Sequence, residues 1–144
     1  MVINMTKEVQ IVIQGLQFDE ADGTDKVETL IDGTYFYKNQ YHYVVFEEKL
    51  EGFSEPTKST IKFNEKEMTL VKHGLTNTHM LFEINKKNRT SYGTPYGNIM
   101  LTIEADRIAV TESDTEIQLQ VGYRLEVNDV YLSDCVIQLN IKQK

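Results

Sequence analysis

The sequence predicts an all-β protein: a closed antiparallel meander β-barrel of eight to ten strands, built as one domain over residues 1–144. Three observations carry that prediction. Apolar residues recur with a period of two over long stretches, which places them on one face of a strand. The segments between these stretches are short and rich in turn-forming residues. No segment shows a helical repeat of apolar residues.

Along the chain, Val9, Ile11 and Ile13 mark the first strand, and the acidic stretch "DEADGTD" follows it as a turn. Val27 to Tyr37 and Tyr41 to Glu48 form a hairpin around "KNQ". Thr60 to Asn64 and Glu67 to His73 come next, preceded by "EGFSEPT" and separated by "NEKE". After "HGLTN" the run from Thr78 to Ile84 is again β-rich, and "NKKNRTSYG" reads as a polar loop whose Lys86, Lys87 and Arg89 form a solvated hairpin tip. Ile99, Leu101, Ile103 and Ala105 alternate up to "EADR", which reads as a turn, as does "ESDTE". The clearest strand begins at Glu116, where Ile117, Leu119, Val121, Tyr123, Leu125 and Val127 share one face. Cys135, Ile137, Leu139 and Ile141 close the chain, and their shared face predicts a buried, unreactive thiol. Parallel pairing needs crossovers of roughly a dozen residues or more, so these connections dictate an antiparallel sheet. A barrel hides the sheet edges most completely, and a two-sheet sandwich is the alternative.

Composition excludes several function classes. The net charge of -7 repels phosphate backbones and anionic lipid at long range, so neither nucleic acid nor membrane is an expected partner. No apolar stretch approaches the length of a membrane span, and the polar residues among the first sixteen deny them the core of a secretory signal. One cysteine cannot form an internal disulfide, and the expected location is cytoplasmic.

The stretch "TSYGTPYGNIM" is the most distinctive local pattern. Proline fixes its own φ and glycine tolerates angles other residues resist, so Thr94-Pro95-Tyr96-Gly97 reads as a β-turn feeding the next strand. A phosphate-cradling loop opens a helix instead, which rules that reading out. Tyr92 and Tyr96, four residues apart around the bend, either present hydroxyls to a ligand at a barrel mouth or pack at the rim of the core with their hydroxyls in water.

The strings "TSYGTPYGNIMLTIEAD", "GTYFYKNQYHYVVFEEKLEG" and "TLVKHG" with "MLFEIN" resemble the YwiB-like proteins, a bacterial family classed as a domain of unknown function. The resemblance covers nearly the whole chain. It implies a calycin-type barrel, lipocalin-like in shape, and no activity.

Among side chains able to do chemistry, His42, His73 and His79 stand on three different strands without metal-ligand spacing, and no metal or cofactor is expected. His42, Val44, Phe46 and Glu48 share one strand face, and Met68, Leu70 and Lys72 share another. If both faces point inward, Glu48 and Lys72 pair with each other or with a ligand, because an unpaired charge in an apolar lumen is costly; otherwise the two simply lie at strand ends in water. The leading reading is therefore a non-enzymatic barrel that binds a small, partly apolar molecule near Glu48, Lys72, Tyr92 and Tyr96. The second is an interaction module, a homodimer using an exposed surface of Tyr35, Tyr37, Tyr41 and Tyr43. The third is an enzyme using Glu47 or Glu48 as acid or base, for which the sequence supplies no partner group.

Overall fold

A computed structural model describes residues 7–15, 28–48, 56–74, 77–94 and 97–144. These form ten strands: β1 (Glu8–Gln14), β2 (Glu28–Lys38), β3 (Tyr41–Glu48), β4 (Thr57–Phe63), β5 (Glu67–His73), β6 (Thr78–Glu83), β7 (Lys87–Thr94), β8 (Gly97–Glu112), β9 (Glu116–Val127) and β10 (Val130–Gln143). They lie in one sheet in the order β6-β5-β4-β3-β2-β1-β10-β9-β8-β7, and every pairing is antiparallel. Two meanders thus meet where β1 pairs with β10, from Val9 opposite Gln143 to Gln14 opposite Gln138. The sheet curls until its two outer strands, β6 and β7, come together as a nearly closed barrel. That last seam has no continuous backbone ladder. The Asn88 amide and the Thr90 hydroxyl of β7 donate instead to the Leu81 and His79 carbonyls of β6, at 3.1 and 2.6 Å.

The seam explains a strand that periodicity does not reveal. Most of "NKKNRTSYG", expected to be a polar loop, belongs to β7, where the polar side chains of Asn88 and Thr90 serve the seam rather than the core. Lys86, Lys87 and Arg89 are exposed and pair with Glu83, Glu126 and Asp129, respectively.

A second departure lies in "EADR", expected to be a turn. It sits inside the 16-residue β8 as a β-bulge, with the register shifting between Ala105 and Arg107. The extra residue reverses the phase of alternation. Leu101, Ile103 and Ala105 face inward before the bulge, and Ile108, Val110 and Glu112 take the inward positions after it.

Two hairpins are closed by residues that both adopt positive φ, Asn39 and Gln40 between β2 and β3, and Asn128 and Asp129 between β9 and β10. That backbone matches the right-handed twist of paired strands. Gly97, opposite Thr94, has φ 121°, consistent with the expected turn, while Pro95 and Tyr96 lie outside the described residues. The acidic stretch "DEADGTD" also lies outside them.

Inward-facing side chains fill the middle of the barrel. Val44, Phe63, Met68, Met80, Phe82, Ile117 and Ile141 expose no surface, so no water-sized void adjoins them. Phe82 and Tyr123 meet edge to face with centroids 5.1 Å apart. Cys135 is half-buried rather than fully enclosed, because β10 bulges between Tyr131 and Ser133 just before it, and its Sγ lies 3.2 Å from the Ser133 Oγ.

Gly15 ends β1 with φ 83°, and a Cβ there would lie 2.1 Å from the Val136 carbonyl oxygen. Gly15→Ala is therefore expected to cost more than about 2 kcal/mol in urea unfolding, adding a backbone collision to the strain of positive φ. Gly97→Ala, with no atom within 4 Å of its Cβ, should lose less.

Candidate functional site

Among the described residues, charged groups enter the inward faces at the two ends of the barrel. At one end, β3, β4, β5 and β6 each carry an inward polar residue at or near a strand terminus: Glu48, Ser59, Lys72 and Thr78. Alternation carries each one inward, Glu48 after Phe46, Ser59 before Ile61, Lys72 after Leu70 and Thr78 before Met80. Register then brings them together. Ser59 stands opposite Lys72 on one side and opposite Phe46 on the other, and Lys72 stands opposite Thr78.

The Lys72 ammonium reaches across β4 to within 3.9 Å of the Glu48 carboxylate, with the two side chains 23% and 25% exposed. The separation makes an ion pair but exceeds hydrogen-bond length. The Ser59 hydroxyl is buried and has no hydrogen-bond partner among the described residues. A buried hydroxyl without a partner forfeits roughly 1–3 kcal/mol of solvation, so this end holds donors with unused capacity. Of the expected site residues, Glu48 and Lys72 are brought together. Tyr92 stands in β7 opposite Ile99, at the barrel end where β6 begins, and its side chain lies outside the described residues together with Tyr96. Ser59 and Thr78 were not anticipated, although alternation read back from Ile61 and Met80 places both inward.

At the opposite end a hydrogen-bonded chain crosses the interior. His42 on β3 is 4% exposed, stacks on Phe63 and packs against Tyr37. A carboxylate only accepts, so His42 Nε2–H donates to Glu112 Oε1 at 2.7 Å, and Nδ1 accepts from the Tyr35 hydroxyl at 2.9 Å. Glu112 reaches His42 only because the β8 bulge turns it inward.

Tyr35 is thereby removed from the exposed aromatic surface expected of it. It is 4% exposed and shares the inward face with Tyr37, whereas Tyr41 and Tyr43 face outward, because residues 35 and 37 of β2 stand opposite 44 and 42 of β3. Burial pushes the Tyr35 hydroxyl up to about 12, helped by the Glu112 charge and by Tyr37. Burial holds His42 below the usual histidine range against the upward pull of Glu112 and Glu65. Protonation would also turn Nδ1 into a donor and leave the Tyr35 hydroxyl without its acceptor.

Among the described residues no three of His, Cys, Asp and Glu converge as metal ligands, and no helix is long and apolar enough to cross a membrane.

The sequence pattern of the family described as "Domain of unknown function (DUF1934)" matches residues 11–139. The chain belongs to the DUF1934 family. Its fold is similar to the crystal structure of the ywiB protein from Bacillus subtilis, with a TM-score of 0.76 and 14% identity, covering 98% of this chain and 96% of that one. The YwiB-like resemblance and the barrel are thus both present in this chain. At that identity the likeness speaks for the fold alone. No curated protein matches the chain.

The DUF1934 barrel should show two pH limits to its stability. His42 has its folded pKa below the unfolded value of 6.5, so its neutral form supports folding fully above that pH. Stability should fall as pH drops through and below 6.5 toward the folded pKa. Tyr35, raised from 10.0 to about 12, supports folding fully below pH 10, and stability should decline as pH rises from there toward 12. Urea unfolding across pH checks both limits, and His42→Leu should flatten the loss between about pH 7 and 5, where few carboxylates titrate.

Proposed function

We propose that this DUF1934 barrel is a non-enzymatic binding protein of a reducing compartment that holds a small acid at the end formed by Glu48, Ser59, Lys72 and Thr78. The observation that carries the reading is the unfinished bonding there: an ammonium and a carboxylate 3.9 Å apart above a buried hydroxyl that has no partner among the described residues. A ligand carboxylate could accept from Lys72 and Ser59 together, while Glu48, at the rim, turns to water. The filled interior limits the size of the body that the acid group can carry. Phe46, Leu70 and Met80 lie directly beneath these polar residues and are buried. The ligand is therefore a compact acid, with a short aliphatic or aromatic body, rather than a long-chain fatty acid inserted along the axis.

A thermal-shift screen of aromatic acids, short-chain and long-chain fatty acids and common metabolites tests this. Compact acids are expected to raise the melting temperature of the wild type. Lys72→Met should weaken the best of them by about 1–3 kcal/mol through loss of a charge-assisted hydrogen bond. If nothing stabilises the wild type, or both proteins are stabilised equally, the site is not at Lys72.

A second reading, self-association as a homodimer, is favoured by the outward face of β2 and β3. Phe36 stacks on Tyr43 there with centroids 4.7 Å apart, and Phe36 remains exposed. Lys62 lies 4.1 Å over the Tyr41 ring beside them. Light scattering should then give a two-chain mass for the wild type and a one-chain mass for Phe36→Glu. A one-chain mass for both removes the dimer.

A further inference from the structure

A depression on the described surface lies outside the barrel, on the outward faces of β1, β10, β9 and β8. It encloses about 550 Å³, within the range of small-molecule sites. Its centre is a patch of carboxamides set by register: Asn140 stands opposite Gln118, and Gln138 opposite Gln120. Each carboxamide offers two donors and an acceptor, the complement of a sugar hydroxyl. The Asn140 Oδ1 is buried and has no hydrogen-bond partner among the described residues. Most of this face would ordinarily be a solvated polar surface, but a buried acceptor left unbonded is not solvated.

Charge is arranged as unusually as the amides. In a chain of net charge -7, the described lining residues include Arg107 and Lys142 and no carboxylate. Lys142 stands opposite Glu116, whose carboxylate accepts from the Gln118 amide at 2.7 Å, and forms no ion pair among the described residues. Arg107 likewise forms no ion pair among the described residues and stands opposite Gly122, which carries no side chain. The bulge residue Asp106 turns its carboxylate over Gly122 and not onto the guanidinium. The same bulge that sends Glu112 inward sends Arg107 outward to the end of the carboxamide patch.

We propose that this groove binds a small anionic polyol, a sugar acid or a sugar phosphate. Its charged group docks on Arg107, and its hydroxyls bond to the carboxamides of Gln118, Gln120, Gln138 and Asn140. A guanidinium holds carboxylate and phosphate alike by paired hydrogen bonds, so the anion sets the position and the amides set the requirement for hydroxyls.

The test monitors the side-chain amide signals of these four residues by NMR during titration with glucuronate, glucose 6-phosphate, glucose and inorganic phosphate. At least one of the two charged sugars is expected to shift the four signals saturably, and the comparison between them assigns carboxylate or phosphate. Arg107→Ala should weaken that binding at least tenfold, Gln120→Ala should weaken it as well, and Lys72→Met should leave it unchanged. Arg107 is exposed, so its variant should fold, and Arg107→Gln serves equally if the alanine variant does not. The proposal is overturned if neither charged sugar shifts the signals. Equal binding of neutral glucose would remove the anion site, and equal binding of inorganic phosphate would remove the role of the hydroxyls. Unchanged affinity in Arg107→Ala would also overturn it.

Discussion

The antiparallel ladder between β1 and β10 is the contact on which the rest of this barrel depends. It joins the first strand to the last, over six residue pairs from Val9 and Gln143 to Gln14 and Gln138, and so turns two separate meanders into one sheet. Neither meander could bury its own inward face, since a sheet needs a second layer or itself to pack against. Once β1 and β10 pair, Val9, Ile11 and Ile13 come into one core with Ile137, Leu139 and Ile141. The backbone cannot yield at this point either, because Gly15 passes too close to the Val136 carbonyl for any side chain to fit.

Closure on the far side is achieved by different means. Between β6 and β7 the chain relies on Asn88 and Thr90 side chains rather than on a ladder, so two strand edges are capped instead of paired. Short strands and polar or charged residues are how natural sheets guard an edge against pairing with another chain. β6 and β7 have both, with six and eight residues and with Lys87 and Arg89 exposed. The barrel is consequently held by continuous backbone pairing everywhere except at one seam, where side-chain chemistry replaces it.

With the middle of the barrel filled, three places among the described residues gather polar groups that bear on function: the two ends and the outer groove. One residue, Asp106, influences two of them. As the extra residue of the β8 bulge it reverses the alternation, so Glu112 meets His42 inside while Arg107 lines the outer groove with the carboxamides. The Tyr35–His42–Glu112 chain ties β2 and β3 to β8 across the interior, and the Glu48–Lys72 pair ties β3 to β5 across β4. The first is saturated, each ring nitrogen having its partner. The second is not, and that difference makes the Glu48 end the better candidate for a ligand.

Most of the fold was legible in the sequence because its main signal is local. The limits of β3, β5 and β9 follow from alternation and flanking turn residues alone, since a strand with one buried face must repeat every second residue. The same rule put Glu48 on one face with Phe46 and Lys72 on one face with Leu70, but whether those faces turn inward was not legible. β7 was not legible, because its residues answer to a neighbouring strand edge and not to the core. The bulge was recorded in the sequence as a slip of phase between Ala105 and Ile108, but a slip and a turn look alike until the pairing with β9 is known. What only the tertiary structure decided are the contacts between distant segments: Glu112 on His42 across 70 residues, Asn140 beside Gln118, and Ser59 beneath the Glu48–Lys72 pair. Periodicity sets which face a side chain takes, and it carries no information about which strand will stand opposite.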